Sequence, residues 1–330
     1  MHQKHILQEP DEFFDSGTLA YLVAGNEGRV LDGRRTPGFI ESYDEESAMF
    51  VWRITGFEDA GQYWEIPADQ IGSYQLRKGS KTLSNAEVEA IRRRCDELNV
   101  VLIIEASQEA KNATEKELEQ WRQSATLWLA KNSAFFRSGE ILDFSAKTGS
   151  ELLAQDLINY MKSLGLDELE KETAQQYLLN PYSGEWIKGM KLVMAEMGLM
   201  PYQGTKPRKP GIFQGNGTKE KRRSYILARM SFLSAVFKLC GIKEVPLYRG
   251  MSTEENFFET PRTLLSTTFS LETAIDYADL KQDSSSRSAY VIKLTCPIER
   301  IFMTYLETKA LNERYKEQEA VIFYDQQVKF

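Results

Sequence analysis

The chain is short of the residues on which most side-chain catalysis depends. Its 330 residues include two histidines, His2 and His5, both at the amino end. A Ser-His-Asp triad, a Cys-His dyad and a His-rich zinc site therefore drop out of consideration. Chemistry must run on carboxylates, hydroxyls, arginine or lysine. Three cysteines, Cys95, Cys240 and Cys296, lie far apart. They form neither a disulfide framework nor a CxxC pair, which fits a reducing cytosol. No apolar run approaches the roughly 18–20 residues of a membrane helix. The opening MHQKHILQEPDEFF lacks the apolar stretch of a secretory signal, so a cytoplasmic location is expected. No GxGxxG follows a strand and no GxxxxGK[ST] occurs, which removes the dinucleotide-binding Rossmann and P-loop readings. The chain also lacks a basic excess. Its net charge of −7 argues against bulk electrostatic binding to nucleic acid.

What is present is an ordinary globular composition, 42% hydrophobic and 27% charged, in a chain long enough for two or three domains. Residues 1–80 read as a small β-rich, barrel-like domain for recognising a target or partner. AYLVAG, GRVLDG, GFIESY, AMFVWRITGF and QYWEIP are short β-branched and aromatic runs, punctuated by Gly, Asp and Pro. Residues 81–147 read as an α/β connector. Ser84-x-x-Glu87 and Thr114-x-x-Glu117 have capping-box spacing, and VVLIIEAS between them reads as a buried strand. Leu118, Trp121, Ala125 and Trp128 then fall on one helical face.

Residues 148–330 read as an α+β domain, helices first and strands after, unlike the alternation of a doubly wound parallel sheet. Thr148-x-x-Glu151 is the expected cap of a helix burying Leu153, Leu157, Tyr160 and Leu164. Helical patterns recur at 168–178 and 185–197, where Gly198 suits the residue past the helix end. A Pro-, Gly- and Lys/Arg-rich loop covers 201–223. Ile226, Met230, Leu233, Phe237 and Cys240 then step by four and three along an amphipathic helix. VPLYRGM, TLLSTTFS, YVIKLTCP, RIFMTYL and EAVIFYD are strands, interrupted by a helix near 272–281.

Three pieces of these strands carry chemistry, in chain order: Leu247-Tyr248-Arg249-Gly250, Leu265-Ser266-Thr267-Thr268-Phe269-Ser270, and Glu317-Gln318-Glu319. Singly, each is ordinary: a surface arginine, a strand edge, a solvated turn. Together they resemble the mono-ADP-ribosyltransferases of the Arg-Ser-Glu class, related to bacterial binary and arginine-modifying toxins. Ser-Thr-Thr stands where that family has Ser-Thr-Ser, which keeps the first serine. The motif match covers residues 247–324.

The resemblance implies a split-sheet fold, NAD⁺ as substrate, no metal, and cleavage of the nicotinamide–ribose bond. Such bonds break through an oxocarbenium-like transition state. The nicotinamide departs neutral, so no strong general acid is needed. Glu319 would take the ribose 2′-hydroxyl and stabilise developing positive charge. Glu317 would orient or deprotonate the incoming nucleophile, and a glutamate at that position tilts the acceptor toward protein arginine. Arg249 would grip a diphosphate or ribose oxygen, and Ser266 would hold Glu319 by a hydrogen bond. Gly250 and Thr267 would adjoin the NAD⁺ site, and Thr267 and Thr268 would prop the Ser266 strand. Phe257 or Phe258 would stack on nicotinamide, and Arg262 would add a phosphate contact. Tyr315 stands where the family's target-recognition loop carries an aromatic.

A basic segment keeps a second acceptor class open. Lys206, Arg208, Lys209, Lys219, Lys221, Arg222 and Arg223 are joined by one acid, Glu220. They form either a solvated loop or a clamp for nucleic-acid phosphates or an acidic target. The alternatives to protein modification are transfer to an RNA or DNA base, NAD⁺ hydrolysis, and a catalytically dead binding module. A delivered effector, or a phage or defence toxin with an antitoxin or other regulatory partner, would share these features.

Overall fold

The computed structural model describes residues 18–22, 36–44, 49–54, 63–67, 76–82, 84, 86–87, 89–90, 93, 101–179, 184–207, 210–253, 264–279, 288–313 and 316–323. The chain divides into two compact units. One comprises Met1–Val101 with Thr205–Lys209, the other Leu102–Gly204 with Pro210–Phe330.

In the first unit, β1 (Thr18–Leu22), β2 (Thr36–Asp44), β3 (Met49–Ile54), β4 (Tyr63–Pro67) and β5 (Leu76–Thr82) form one sheet in the order β4-β3-β2-β1-β5. Its pairings are antiparallel, and none among the described residues closes β4 onto β5 into a barrel. Phe39 and Trp52 are buried. Gly38 makes room for Trp52, because a Cβ there would lie 2.4 Å from the indole. The GRVLDG run lies outside the described residues. The box at Ser84 is made: Ser84 N and Oγ both donate to Glu87 Oε2, at 2.9 and 2.8 Å.

β6 (Val101–Ile104) pairs with β7 (Tyr202–Thr205) in a two-stranded ribbon. It is not the buried strand its composition suggests, since Val101 and Ile103 are exposed. The helix expected from Thr114 begins earlier, as α1 (Gln108–Asn132). Ser107 caps it by accepting from Ala110 N, and Thr114 lies buried in its interior. The short α2 (Ala134–Ser138) starts on buried Asp156, whose carboxylate accepts from Ala134 N and Phe135 N. Next come α3 (Glu151–Ser163), capped by Ser150 rather than Thr148, α4 (Asp167–Leu179) and α5 (Glu185–Glu196). Gly198, with φ 78°, follows α5 as expected.

The second unit is built around α6 (Lys219–Leu239), in which every residue from Tyr225 to Phe237 is buried. A helix buried around its whole circumference needs neighbours on every side, and its polar Arg229, Ser231 and Ser234 are buried with it. α1, α5 and β11 (Ile301–Thr304) pack against it. The remaining elements are β8 (Glu244–Thr253), β9 (Leu264–Thr268), α7 (Leu271–Asp279), β10 (Ser288–Pro297), the single turn α8 (Ala310–Glu313) and β12 (Glu319–Phe323). Their sheet has the order β10-β8-β9-β12-β11. β8 runs its full length against β10, and β9 against β12. β8 and β9, by contrast, pair among the described residues only at Tyr248↔Thr268. The sheet is thus two ladders joined at one point. Mixed helix and sheet, with the strands gathered at the end, is an α+β arrangement.

Candidate active site at the divided sheet

The three pieces singled out in the sequence fall on three neighbouring strands. β8 carries Arg249, β9 carries Ser266, and β12 opens at Glu319, opposite Thr268. Where β8 and β9 separate, Arg249 Nη1 reaches across and donates to the Ser266 carbonyl at 2.5 Å. Arg249 Nε is buried with no hydrogen-bond partner among the described residues.

Glu319 is 8% exposed. Ser266 Oγ donates to its Oε1 at 2.6 Å, and the Tyr177 hydroxyl donates to the same oxygen at 3.0 Å. No described residue hydrogen-bonds Oε2. Burial lifts the Glu319 carboxyl above the usual carboxylate range, and nearby Glu317 adds to the rise. The Ser266 and Tyr177 hydroxyls and Arg249 offset only part of it. The result is a desolvated carboxylate with one oxygen held and the other available.

Glu317 is half-buried beside it. Its Oε1 accepts from the Tyr277 hydroxyl of α7 at 2.5 Å, and its carbonyl accepts from Thr268 Oγ1 at 2.6 Å. The turn between the strands has two non-glycine residues in the left-handed region, Lys316 (φ 53°) and Gln318 (φ 50°). Such residues persist where their surroundings hold them. Gln318 is held by its amide, which donates to the carbonyls of Phe144 and Ala146 at 3.2 and 3.0 Å. The Tyr305 hydroxyl fixes the same loop through Ala146 O at 2.8 Å. Phe144 also stacks on Phe269.

Thr267 props its strand as expected: it is buried and donates to Ala320 O at 2.8 Å, tying β9 to β12. Several expected roles change. Gly250 is covered by α7: a Cβ there would sit 1.6 Å from Ala274 O, so glycine is what lets the helix lie on β8. Arg222 is no surface clamp. It is fully buried, lies over the Trp186 ring at 3.9 Å, and donates to the carbonyls of Gly217, Trp186 and Ile212. Burial lowers its pKa to about 10, with Glu172 opposing. Arg223 pairs with Glu117 at 2.9 Å. Lys219 pairs with Glu196, and Lys221 donates to Asn216. Lys206 is exposed. Phe257, Phe258, Arg262, Tyr315, Arg208 and Lys209 lie outside the described residues.

The structure adds Tyr177, Tyr277 and Gln318 to the site. Gln318 stands between the two glutamates and Tyr277 closes the STTFSLETAIDY stretch, so both were within sight of the motifs. Tyr177 lies 142 residues from its partner Glu319 and has no local signature. Among the described residues, no group of three or more His, Cys, Asp and Glu side chains could hold a metal ion. No helix of the described residues is long and apolar enough to cross a membrane. Comparison with protein families, curated proteins and solved structures finds no match to this chain.

Proposed function

We propose that the protein is a NAD⁺-dependent mono-ADP-ribosyltransferase acting on a protein acceptor, with the guanidinium of arginine as nucleophile. The observation that carries the reading is the corner where β8 and β9 part. A buried glutamate, the serine bonded to it and an arginine whose Nε has no partner among the described residues meet there, and a second carboxylate stands two residues from the first. In the reaction, the bond between ribose C1′ and nicotinamide breaks and its electron pair leaves with neutral nicotinamide. Positive charge develops on the ribose. Glu319 Oε2 accepts the 2′-hydroxyl and stabilises that charge in a low-dielectric site. An acceptor nitrogen then bonds to C1′ and loses its proton to Glu317. Arg249 offers a planar fork to the diphosphate.

The fate of the basic segment favours protein over nucleic acid. Arg222 is buried, and Arg223, Lys219 and Lys221 are engaged within the chain, so the phosphate clamp loses most of its described members. Incubating the protein with cell lysate and NAD⁺ labelled in the adenylate part tests this reading. Label that becomes protease-sensitive and nuclease-resistant, and is released by hydroxylamine as guanidinium-linked ADP-ribose is, supports it. Nuclease-sensitive label points to the nucleic-acid reading, and no label with free ADP-ribose accumulating points to a hydrolase.

A further inference from the structure

We infer that Tyr177, on the helical layer rather than the sheet, is a positioning residue for Glu319: its hydroxyl holds the carboxylate rotamer and favours its anion. The inference rests on the reading of Glu319 as the ribose-binding carboxylate, and extends it to an element outside the three motifs.

Ser266 and Tyr177 converge on one oxygen, from opposite sources. Ser266 belongs to β9, next to β12. Tyr177 comes from α4 and is buried. Two donors on Oε1 remove the carboxylate's freedom to rotate and leave Oε2 for a substrate. A hydroxyl donating to a carboxylate also stabilises the anion over the acid. That matters here because burial works in the other direction.

α4 is placed for this task by a buried charge network. Glu170 lies seven residues before Tyr177, two helical turns, and so on the same face. Its Oε2 accepts from the Tyr225 hydroxyl at 2.9 Å and lies 3.3 Å from Arg229 Nε. Arg229 also bonds Glu307 at 3.0 Å. Glu307 in turn accepts from Thr304 N at 2.7 Å, at the end of β11, and β11 pairs with β12, the strand that Glu319 opens. The face of α4 bearing Tyr177 is therefore tied to the strand beside the glutamate's own. The groups facing the Glu319 carboxyl are then Tyr177 from α4, Ser266 from β9, Glu317 from the turn and Arg249 from β8.

The test is the pH profile of nicotinamide release by wild type, Tyr177→Phe and Tyr160→Phe. Tyr160 is the matched control: a buried tyrosine of α3 whose hydroxyl has no hydrogen-bond partner among the described residues. Removing the Tyr177 donor raises the pKa of Glu319, so the acid limb moves to higher pH by about one unit, while the Tyr160→Phe limb stays with wild type. Incorporating 3-fluorotyrosine at position 177, a stronger donor of nearly equal size, moves the limb the other way without removing a hydroxyl. An acid limb unmoved by both changes at 177, or moved equally by Tyr160→Phe, overturns the inference. Carboxyl-carbon NMR of Glu319, assigned by its loss in Glu319→Gln, reads the same shift without turnover. It separates a failure at Tyr177 from a failure of the transferase reading: no nicotinamide release from wild type sinks the latter, while the NMR titration still decides the former.

Discussion

Two buried carboxylates of the second unit sit in adjoining parts of the fold and are treated in opposite ways. Glu307 has both oxygens occupied. Arg229, Thr304 N and the Thr308 hydroxyl reach Oε1, and the Thr304 hydroxyl reaches Oε2. Arg229 itself is fully enclosed. Burial works to lower its pKa, but Glu170 and Glu307 outweigh that and hold it above its ordinary value. Glu319 is buried almost as deeply, yet two neutral hydroxyls serve one oxygen, and its nearest charged companion in the turn is another glutamate. A compensated carboxylate holds a fold together. An under-compensated one, kept beside a like charge, is the arrangement that binding and catalysis use.

The comparison breaks first at Arg229. Arg229→Met leaves Glu170 and Glu307 buried without their cation, and unfolding in urea should show a loss of about 3–5 kcal/mol. A loss below about 1 kcal/mol would mean that the network contributes packing rather than charge pairing.

The opposite sign is expected at the site. The folded-state pKa of Glu319 is raised. Its ionisation therefore weakens the fold as pH climbs from the unfolded-state value through the folded one. Glu319→Gln should accordingly be more stable than wild type at neutral pH, by on the order of 1 kcal/mol, a common size for a single stabilising change. The gain should shrink as pH falls through that window and vanish below the unfolded value. Melting curves at neutral and acid pH check it, and a destabilised glutamine variant at neutral pH would mean that Glu319 belongs with Glu307 after all.

The difference between the two carboxylates also explains what could be read from the sequence. Arg249, Ser266 and Glu319 were legible because each sits in a short apolar strand whose pattern is local, and their order along the chain survives as adjacency in the sheet. The helix of α6 was legible from its four-and-three spacing, but it was read as amphipathic, whereas every residue from Tyr225 to Phe237 is buried, Arg229, Ser231 and Ser234 among them. Helix starts were less legible. Thr114 and Thr148 have the capping spacing, but Ser107 and Ser150 do the capping, since the pattern does not say which residue leaves the helical conformation first. The exposure of β6 was missed because a β-branched run looks alike whether a sheet covers it or not. Arg222 read as surface because charge runs usually are, whereas here three carbonyls and an indole enclose it. Tyr177 was illegible for a deeper reason. Its partner is brought near by the packing of α4 against neighbouring helices and the α8 turn that precedes β12, and nothing at positions 170–179 encodes that meeting except an acid, Glu170, in a helix otherwise rich in them.

The role proposed for Glu319 is to hold the ribose of NAD⁺. The direct measurement is nicotinamide release from NAD⁺ by purified wild type and by Glu319→Gln, at matched folding shown by circular dichroism. Steady release by wild type is expected, with a fall of at least roughly 100-fold in the variant, the scale of removing one electrostatic stabiliser of a transition state. Equal release by both, or none from wild type, would contradict it.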